Sequence, residues 1–171
     1  MKTETEDLLS SMMLWNGSYC YLEAARTLFT KEEPSILPMP PSDPTYFLAC
    51  QAIELALKAF LRGSGKDETF LAKVCNHNLA VALKAAEEIG LNKLLKLDSQ
   101  EHQVLNSANQ LYSTKALQFG ISGRYSYPHF EPLLKITEKI VIGTEEFCMK
   151  NAERHTGRPT SVNRLHSTHN K

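Results

Sequence analysis

The sequence predicts an all-α protein with one helical domain, and three observations favour that fold class. Apolar residues recur about every 3.6 positions along several segments, which is typical of amphipathic helices. No stretch alternates apolar and polar residues between hairpin turns, as half-buried strands do. The segment from Thr45 to Arg62 is apolar around nearly its whole circumference, which indicates a helix covered by neighbours on several sides.

The first two helices are separated by a proline-rich connection. A helix is predicted over residues 7–29, and the prolines of residues 34–44 then indicate an extended segment because proline disfavours a helical residue before it. In the second helix, Asp43 is the predicted N-cap and Pro44 suits the first helical position. Gly63 follows Arg62 and is predicted to end this helix.

Three more helices are predicted further along the chain. One covers residues 78–89, with Asn76 or Asn78 as its cap, and the run from Asp98 to Glu101 resembles the capping box of the next. Residues 119–129 are interpreted as a loop.

The last helix is predicted to open at Pro132, after which apolar residues recur at helical spacing. Residues 152–171 are basic and lack apolar periodicity, so they are predicted to be a disordered tail after a domain of residues 1–151.

Composition narrows the classes of function. The 171 residues carry 19 basic and 19 acidic side chains, so a generally basic nucleic-acid-binding surface is not indicated. Glu54 and Lys58 interrupt the longest apolar run, which therefore falls short of the roughly 20 residues that span a bilayer. The acidic N-terminus lacks the apolar core of a signal peptide. We therefore expect a cytoplasmic protein with no membrane partner.

The cysteines do not predict a metal site. Cys20, Cys50 and Cys148 lie within helical patterns and are expected to be small buried apolar residues. Cys75 and His77 are the one close Cys/His pair, and no second pair at ligand spacing accompanies them. The sequence predicts neither a zinc site nor a cofactor.

Glu54 and Lys58 are the first candidates for function. They are four residues apart, so they share one face of the predicted helix. Charges on such an apolar helix are costly to bury unless they are paired. The favoured interpretation is an ion pair at the edge of the core or at a subunit interface. The alternative is that Glu54 orients a functional group on a facing helix.

Arg124 and His129 form a second candidate, with the spacing R-x4-H. Histidine can take a proton from a ribose 2′-hydroxyl near neutral pH, and arginine can stabilise a phosphate. Such a pair suits RNA cleavage without a metal. The structural alternative is that Arg124 pairs with a carboxylate while His129 caps the last helix. His77 is a third candidate, either catalytic or simply a loop or capping residue packed on a neighbouring helix.

Residues 48–61, with the sequence LACQAIELALKAFL, resemble the second-helix pattern of HEPN-type domains (higher eukaryotes and prokaryotes nucleotide-binding). The His77-Asn78-Leu79 run and the Arg124-Tyr125 element before the last helix are also similar to that family. The resemblance covers residues 10–150.

The resemblance implies an up-and-down bundle of four to five helices, often a homodimer. Many family members are metal-independent ribonucleases in toxin–antitoxin, abortive-infection or CRISPR systems. By resemblance, Arg124 and His129 would be the catalytic residues at a dimer interface. The binding or supporting residues would be Glu54, Lys58, His77 and Tyr125.

The Arg-Tyr…Pro arrangement also resembles family branches in which the arginine is structural. Pro128 disfavours a helical Tyr127, which predicts that His129 does not share a helix face with Arg124.

Three functions follow as alternatives. One is a metal-independent endoribonuclease, the second is a non-catalytic module that binds a nucleotide, nucleic acid or protein, and the third is a helical adaptor for a partner protein.

Overall fold

The computed structural model describes residues 10–31, 41–119 and 126–152, and within them it is helical, with no strand. The fold class predicted from the sequence is thereby confirmed. The helices are α1 (Ser11–Lys31), α2 (Asp43–Gly63), α3 (Glu68–Val74), α4 (Leu79–Glu88), α5 (Ser99–Ser113), α6 (Ala116–Phe119) and α7 (Phe130–Lys150), with a 3₁₀ turn at Leu91–Lys93.

The long helices pack side by side in alternating directions. Ser11, at the start of α1, donates a hydrogen bond of 2.7 Å to the carbonyl of Ala59 near the end of α2. Phe29, near the end of α1, packs on Phe130 at the start of α7, with ring centroids 4.8 Å apart. Therefore α1 runs antiparallel to both α2 and α7, as in an up-and-down bundle.

Helix α2 lies at the centre of the bundle. It contacts each of the other six α-helices of the described residues. Side chains all around it are fully buried, including Ala49, Ile53, Leu57 and Leu61. The prediction that this apolar helix is covered on several sides is confirmed. Burial of whole Leu and Ile side chains contributes about 1.5–3 kcal/mol each, so α2 supplies much of the core.

The start of α2 differs from the prediction. Ser42, not Asp43, occupies the N-cap, and Asp43 and Pro44 lie in the first turn. The carboxylate of Asp43 instead accepts a hydrogen bond of 2.6 Å from the hydroxyl of Tyr127. The side chain that sequence reasoning assigned to the cap therefore ties α2 to the segment before α7.

One cysteine prediction is wrong. Cys20 is exposed on the outer face of α1, whereas Cys50 and Cys148 are buried as expected, and Cys75 is buried too. The helical period of α1 gives its inner face to residues such as Leu14 and Leu22, so Cys20 points away from the core.

Two of the later helices, α4 and α5, begin at the caps predicted from the sequence. Asn78 caps α4, and Asp98 forms the capping box of α5 with Glu101. Helix α7 begins at Phe130, two residues before Pro132, and residues 126–129 are non-helical, so His129 lies outside the helix. The short helices α3 and α6 were not predicted.

Some predictions fall outside the described residues. They concern the tail from residue 153 onwards, most of the proline-rich connection, and two site residues, Arg124 and Tyr125. Among the helices that are described, none has the length and apolar character needed to cross a membrane.

Candidate functional site

A buried carboxylate at the middle of α2 is the centre of the candidate site. The side chain of Glu54 is only 1% exposed. Its Oε1 atom pairs with the ammonium group of Lys58, one helical turn further along α2. Its Oε2 atom accepts a hydrogen bond of 2.6 Å from the hydroxyl of Tyr112 and lies 3.2 Å from Nδ1 of His77. With Gln51, which is hydrogen-bonded to Tyr112, we call these five residues the Glu54 cluster.

Three elements bring the cluster together. Helical spacing places Gln51, Glu54 and Lys58 on one face of α2. Tyr112 extends from α5, and its ring packs edge-on against His77, with centroids 5.6 Å apart. A buried charge is tolerated only when it is paired and hydrogen-bonded. The partners from α2, α5 and the α3–α4 connection meet this requirement for Glu54.

Helix α5 also holds the backbone beside His77. The side-chain amide of Asn109 accepts a hydrogen bond of 2.7 Å from the Leu79 backbone and donates one of 3.2 Å to Asn78. His77 itself has a φ of +52°, a left-handed conformation that is uncommon for a non-glycine residue. Such a conformation costs free energy and persists where surrounding contacts enforce it. These contacts direct the imidazole toward Glu54.

The contact with Glu54 selects one tautomer of His77. Because Nδ1 faces a carboxylate, this nitrogen carries the proton of the neutral ring. Nε2 is then the basic nitrogen, and the side chain is 34% exposed. Buried carboxylates orient catalytic histidines in this way. Lys58 is beside it with a side chain 20% exposed, and two of its three N–H donors are not used by Glu54.

The remaining polar groups of the site are neutral. Burial, with a further contribution from Glu54, raises the pKa of Tyr112 far above its usual range, so its hydroxyl remains a proton donor. Burial also raises the pKa of the Cys75 thiol to about 11 and that of Cys50 well above its ordinary value. A thiol with so high a pKa is a poor nucleophile near neutral pH.

The hydrogen bonds of Tyr112 also orient Gln51. A phenol has one proton, and Tyr112 donates it to Glu54, the stronger acceptor because it is charged. The structure places Oε1 of Gln51 against the phenol oxygen. Because no second phenol proton exists to meet it, we infer that the amide is turned by half a rotation, with its NH₂ group donating to the phenol oxygen.

The structure brings together three of the site residues predicted from the sequence, namely Glu54, Lys58 and His77. The favoured interpretation of Glu54 and Lys58 as an ion pair at the edge of the core is confirmed. Glu54 also contacts Tyr112 on the facing helix α5 and His77 in the α3–α4 connection, and the alternative that it orients a functional group there stays a prediction.

Among the described residues, His129 forms neither a hydrogen bond nor an ion pair with the Glu54 cluster. It is exposed at the N-cap position of α7, and its side chain makes no capping hydrogen bond, so the capping role proposed as the structural alternative is not fulfilled. A surface pocket of about 470 Å³ lies beside it, lined also by Phe29, Pro41 and Phe130. Arg124 and Tyr125, the other two predicted residues, lie outside the described residues.

Sequence reasoning missed Tyr112 as a site residue. It lies on the buried face of α5, where helical spacing makes it resemble one more core side chain. A buried tyrosine needs a partner for its hydroxyl, and Glu54 is a buried carboxylate whose second oxygen is not engaged by Lys58. Within the part of the chain that the structure covers, no group of three or more His, Cys, Asp or Glu side chains is placed to hold a metal ion.

The fold and the site define an all-α helical bundle with a polar cluster built around a buried glutamate. Comparison of the chain with protein-family models, with curated proteins and with solved structures finds no match.

Proposed function

We propose that this protein is a HEPN-like, metal-independent endoribonuclease in which His77 transfers protons and Lys58 contacts the phosphate. The observation that carries the proposal is that one buried carboxylate, Glu54, contacts both His77 and Lys58, whose side chains are partly exposed to solvent. An oriented imidazole beside a cation is the chemistry that RNA cleavage needs without a metal. The resemblance of residues 48–61 to HEPN domains supports the same class.

The reaction needs only groups of the cluster and the RNA itself. Nε2 of His77 takes the proton of a ribose 2′-hydroxyl, whose oxygen attacks the adjacent phosphorus as the bond to the 5′-oxygen breaks. Lys58 stabilises the charge that builds on the phosphate. The leaving oxygen takes a proton from water, and the hydroxide so formed takes the proton from the His77 imidazolium, which restores the neutral ring. The products are a 2′,3′-cyclic phosphate and a 5′-hydroxyl end. Glu54, which contacts Nδ1 of His77, stabilises the imidazolium that forms.

The second candidate is a HEPN-like module that binds the phosphates of RNA or a nucleotide and does not cleave them. Lys58 favours this candidate as well, and so does His77 when its ring is protonated, because both side chains contact Glu54 and their N–H groups can donate to an anion. In either case the family resemblance implies a homodimer, in a toxin–antitoxin or related defence system or with a partner protein, and the cytoplasmic location expected from the sequence is part of the proposal. Light scattering of the purified protein measures the oligomeric state.

Cleavage of RNA in EDTA tests the proposal. Total RNA incubated with the wild-type protein is expected to yield fragments with cyclic phosphate and 5′-hydroxyl ends. His77→Asn is expected to lower the rate by about 10²–10⁴-fold, because the proton acceptor is lost. His102→Asn is the matched control, since His102 is also half-exposed and faces a glutamate, Glu87, at 3.4 Å. The control purified in parallel is expected to retain the wild-type rate.

The same assay separates the other hypotheses. Cleavage that persists in His77→Asn and disappears in Arg124→Ala and His129→Asn would transfer catalysis to the R-x4-H pair. RNA binding without cleavage by the wild-type protein would establish the second candidate. Circular dichroism of each variant confirms that it is folded.

A further inference from the structure

Tyr112 contacts the same carboxylate oxygen as His77, and this shared acceptor has a consequence for the histidine. The Tyr112 hydroxyl lies 2.6 Å from Oε2 of Glu54, while Nδ1 of His77 lies 3.2 Å from it. The shorter distance makes the phenol the stronger donor to that oxygen. A donor that already engages Oε2 reduces the negative charge available to the imidazolium of His77.

We propose that Tyr112 is a positioning residue that sets the proton affinity of His77 by acting on Glu54. The inference rests on the proposed function where it assigns His77 a role in proton transfer. The hydrogen bond from the phenol weakens the hold of the carboxylate on the His77 proton. Nε2 therefore gives up its proton more readily after each transfer.

The surroundings of Tyr112 fit this role. Its side chain is 2% exposed, so water does not compete for its hydroxyl. Oε1 of Gln51 faces the phenol oxygen from α2 at 2.5 Å. Since the single phenol proton goes to Glu54, we infer that the amide is turned so that its NH₂ group donates to the phenol oxygen, which strengthens the bond that the phenol makes to Glu54. Phe47 packs against the ring, with centroids 5.9 Å apart, which helps to fix its orientation.

The other titratable groups near His77 are the same with and without the Tyr112 hydroxyl. From α2 these are Glu54 and Lys58, and from its own segment the thiol of Cys75, which is neutral at neutral pH because burial raises its pKa to about 11. From α5, Asn109 presents a neutral amide. The Tyr112 oxygen also lies 3.4 Å from Nδ1 of His77, a longer contact than the 2.6 Å hydrogen bond that the phenol makes to Glu54. Because the shorter bond is the stronger one, we infer that loss of the hydroxyl acts chiefly through Oε2 of Glu54, and the Glu54→Gln background separates the two contacts.

Titration of the His77 imidazole by NMR tests the inference without RNA. In Tyr112→Phe, the pH midpoint of the His77 signal is expected to rise by about 0.5 or more, because the freed carboxylate stabilises the imidazolium. Tyr46→Phe is the matched control, since Tyr46 is 1% exposed and donates to a backbone carbonyl, that of Pro128, at 2.6 Å. That variant is expected to leave the midpoint unchanged.

Two further variants distinguish an effect through Glu54 from a general structural effect. In a Glu54→Gln background, Tyr112→Phe is expected to have no effect on the midpoint, because the charge through which it acts is gone. Gln51→Ala, at a half-exposed position, is expected to raise the midpoint of the His77 titration by a smaller amount. This variant replaces Tyr112→Phe as the test if Tyr112→Phe does not fold. An equal shift in Tyr112→Phe and Tyr46→Phe, or none in Gln51→Ala, would overturn the inference.

The pH profile of RNA cleavage keeps this inference separate from the proposed function. If both hold, the acid limb of the profile moves upward with the His77 midpoint in Tyr112→Phe. If the midpoint moves and the profile does not, then His77 is not the proton acceptor, yet Tyr112 still acts through Glu54.

Discussion

Glu54→Ala is expected to lower the free energy of unfolding by about 3–5 kcal/mol, the usual cost of removing one partner from a buried ion pair. The change leaves the Tyr112 hydroxyl without its acceptor in the core, and it removes the partner of Lys58 and His77. Urea unfolding followed by circular dichroism measures the loss. Glu54→Gln keeps the volume and one acceptor oxygen, so it is expected to cost less.

Glu146→Ala is the control for this prediction. Glu146 also pairs with a lysine one turn away, Lys150, but its side chain is 81% exposed. Exposed pairs of this kind contribute little to stability. The urea midpoint of Glu146→Ala is therefore expected to match that of the wild type. Equal losses in the two variants would show that Glu54 is not held in a buried network.

Leu57→Ala is expected to lower the free energy of unfolding by about 2–5 kcal/mol, because it removes buried methyl groups and leaves a cavity. Leu57 is fully buried on α2, the helix that contacts all the other α-helices of the described residues. Such a site cannot collapse easily, since its neighbours belong to several helices. Urea unfolding with an unchanged slope would assign the loss to the folded state.

Leu28→Ala is the matched control for the core prediction. Leu28 lies on α1 with 37% of its surface exposed, and the same substitution has the same effect on helix propensity. It is expected to cost less than about 1 kcal/mol because little apolar area is lost from burial. If Leu57→Ala cost no more than Leu28→Ala, α2 would not be the centre of the core.

The fold could be predicted largely because helix periodicity and caps are local properties. The apolar circumference of residues 45–62 indicated a central helix, and Asn78 and Asp98 indicated two helix starts. The predicted N-cap of α2, Asp43, is one residue too late. The Asp43 carboxylate accepts a hydrogen bond from Tyr127, 84 residues away, so it is not used as a cap. Spacing along the chain does not reveal such a contact. The exposure of Cys20 likewise depends on which face of α1 meets the core.

The site was only partly predictable for the same reason. Glu54 and Lys58 could be paired from their spacing on one helix. The contact of Glu54 with His77 and Tyr112 joins residues 23 and 58 positions apart, and it exists because α4 and α5 pack on α2. The R-x4-H spacing is short and is therefore visible in the sequence. Its histidine, His129, is among the described residues, whereas Arg124 is not.

The tautomer of neutral His77 shows directly whether Glu54 orients the imidazole. A long-range ¹H–¹⁵N spectrum at about pH 9, where histidine is neutral, identifies the protonated nitrogen. His77→Asn assigns the signals by their loss. Because Nδ1 faces Glu54, the neutral ring is expected to carry its proton on Nδ1. A proton on Nε2 instead would mean that Glu54 does not orient His77 and would contradict the proposed site.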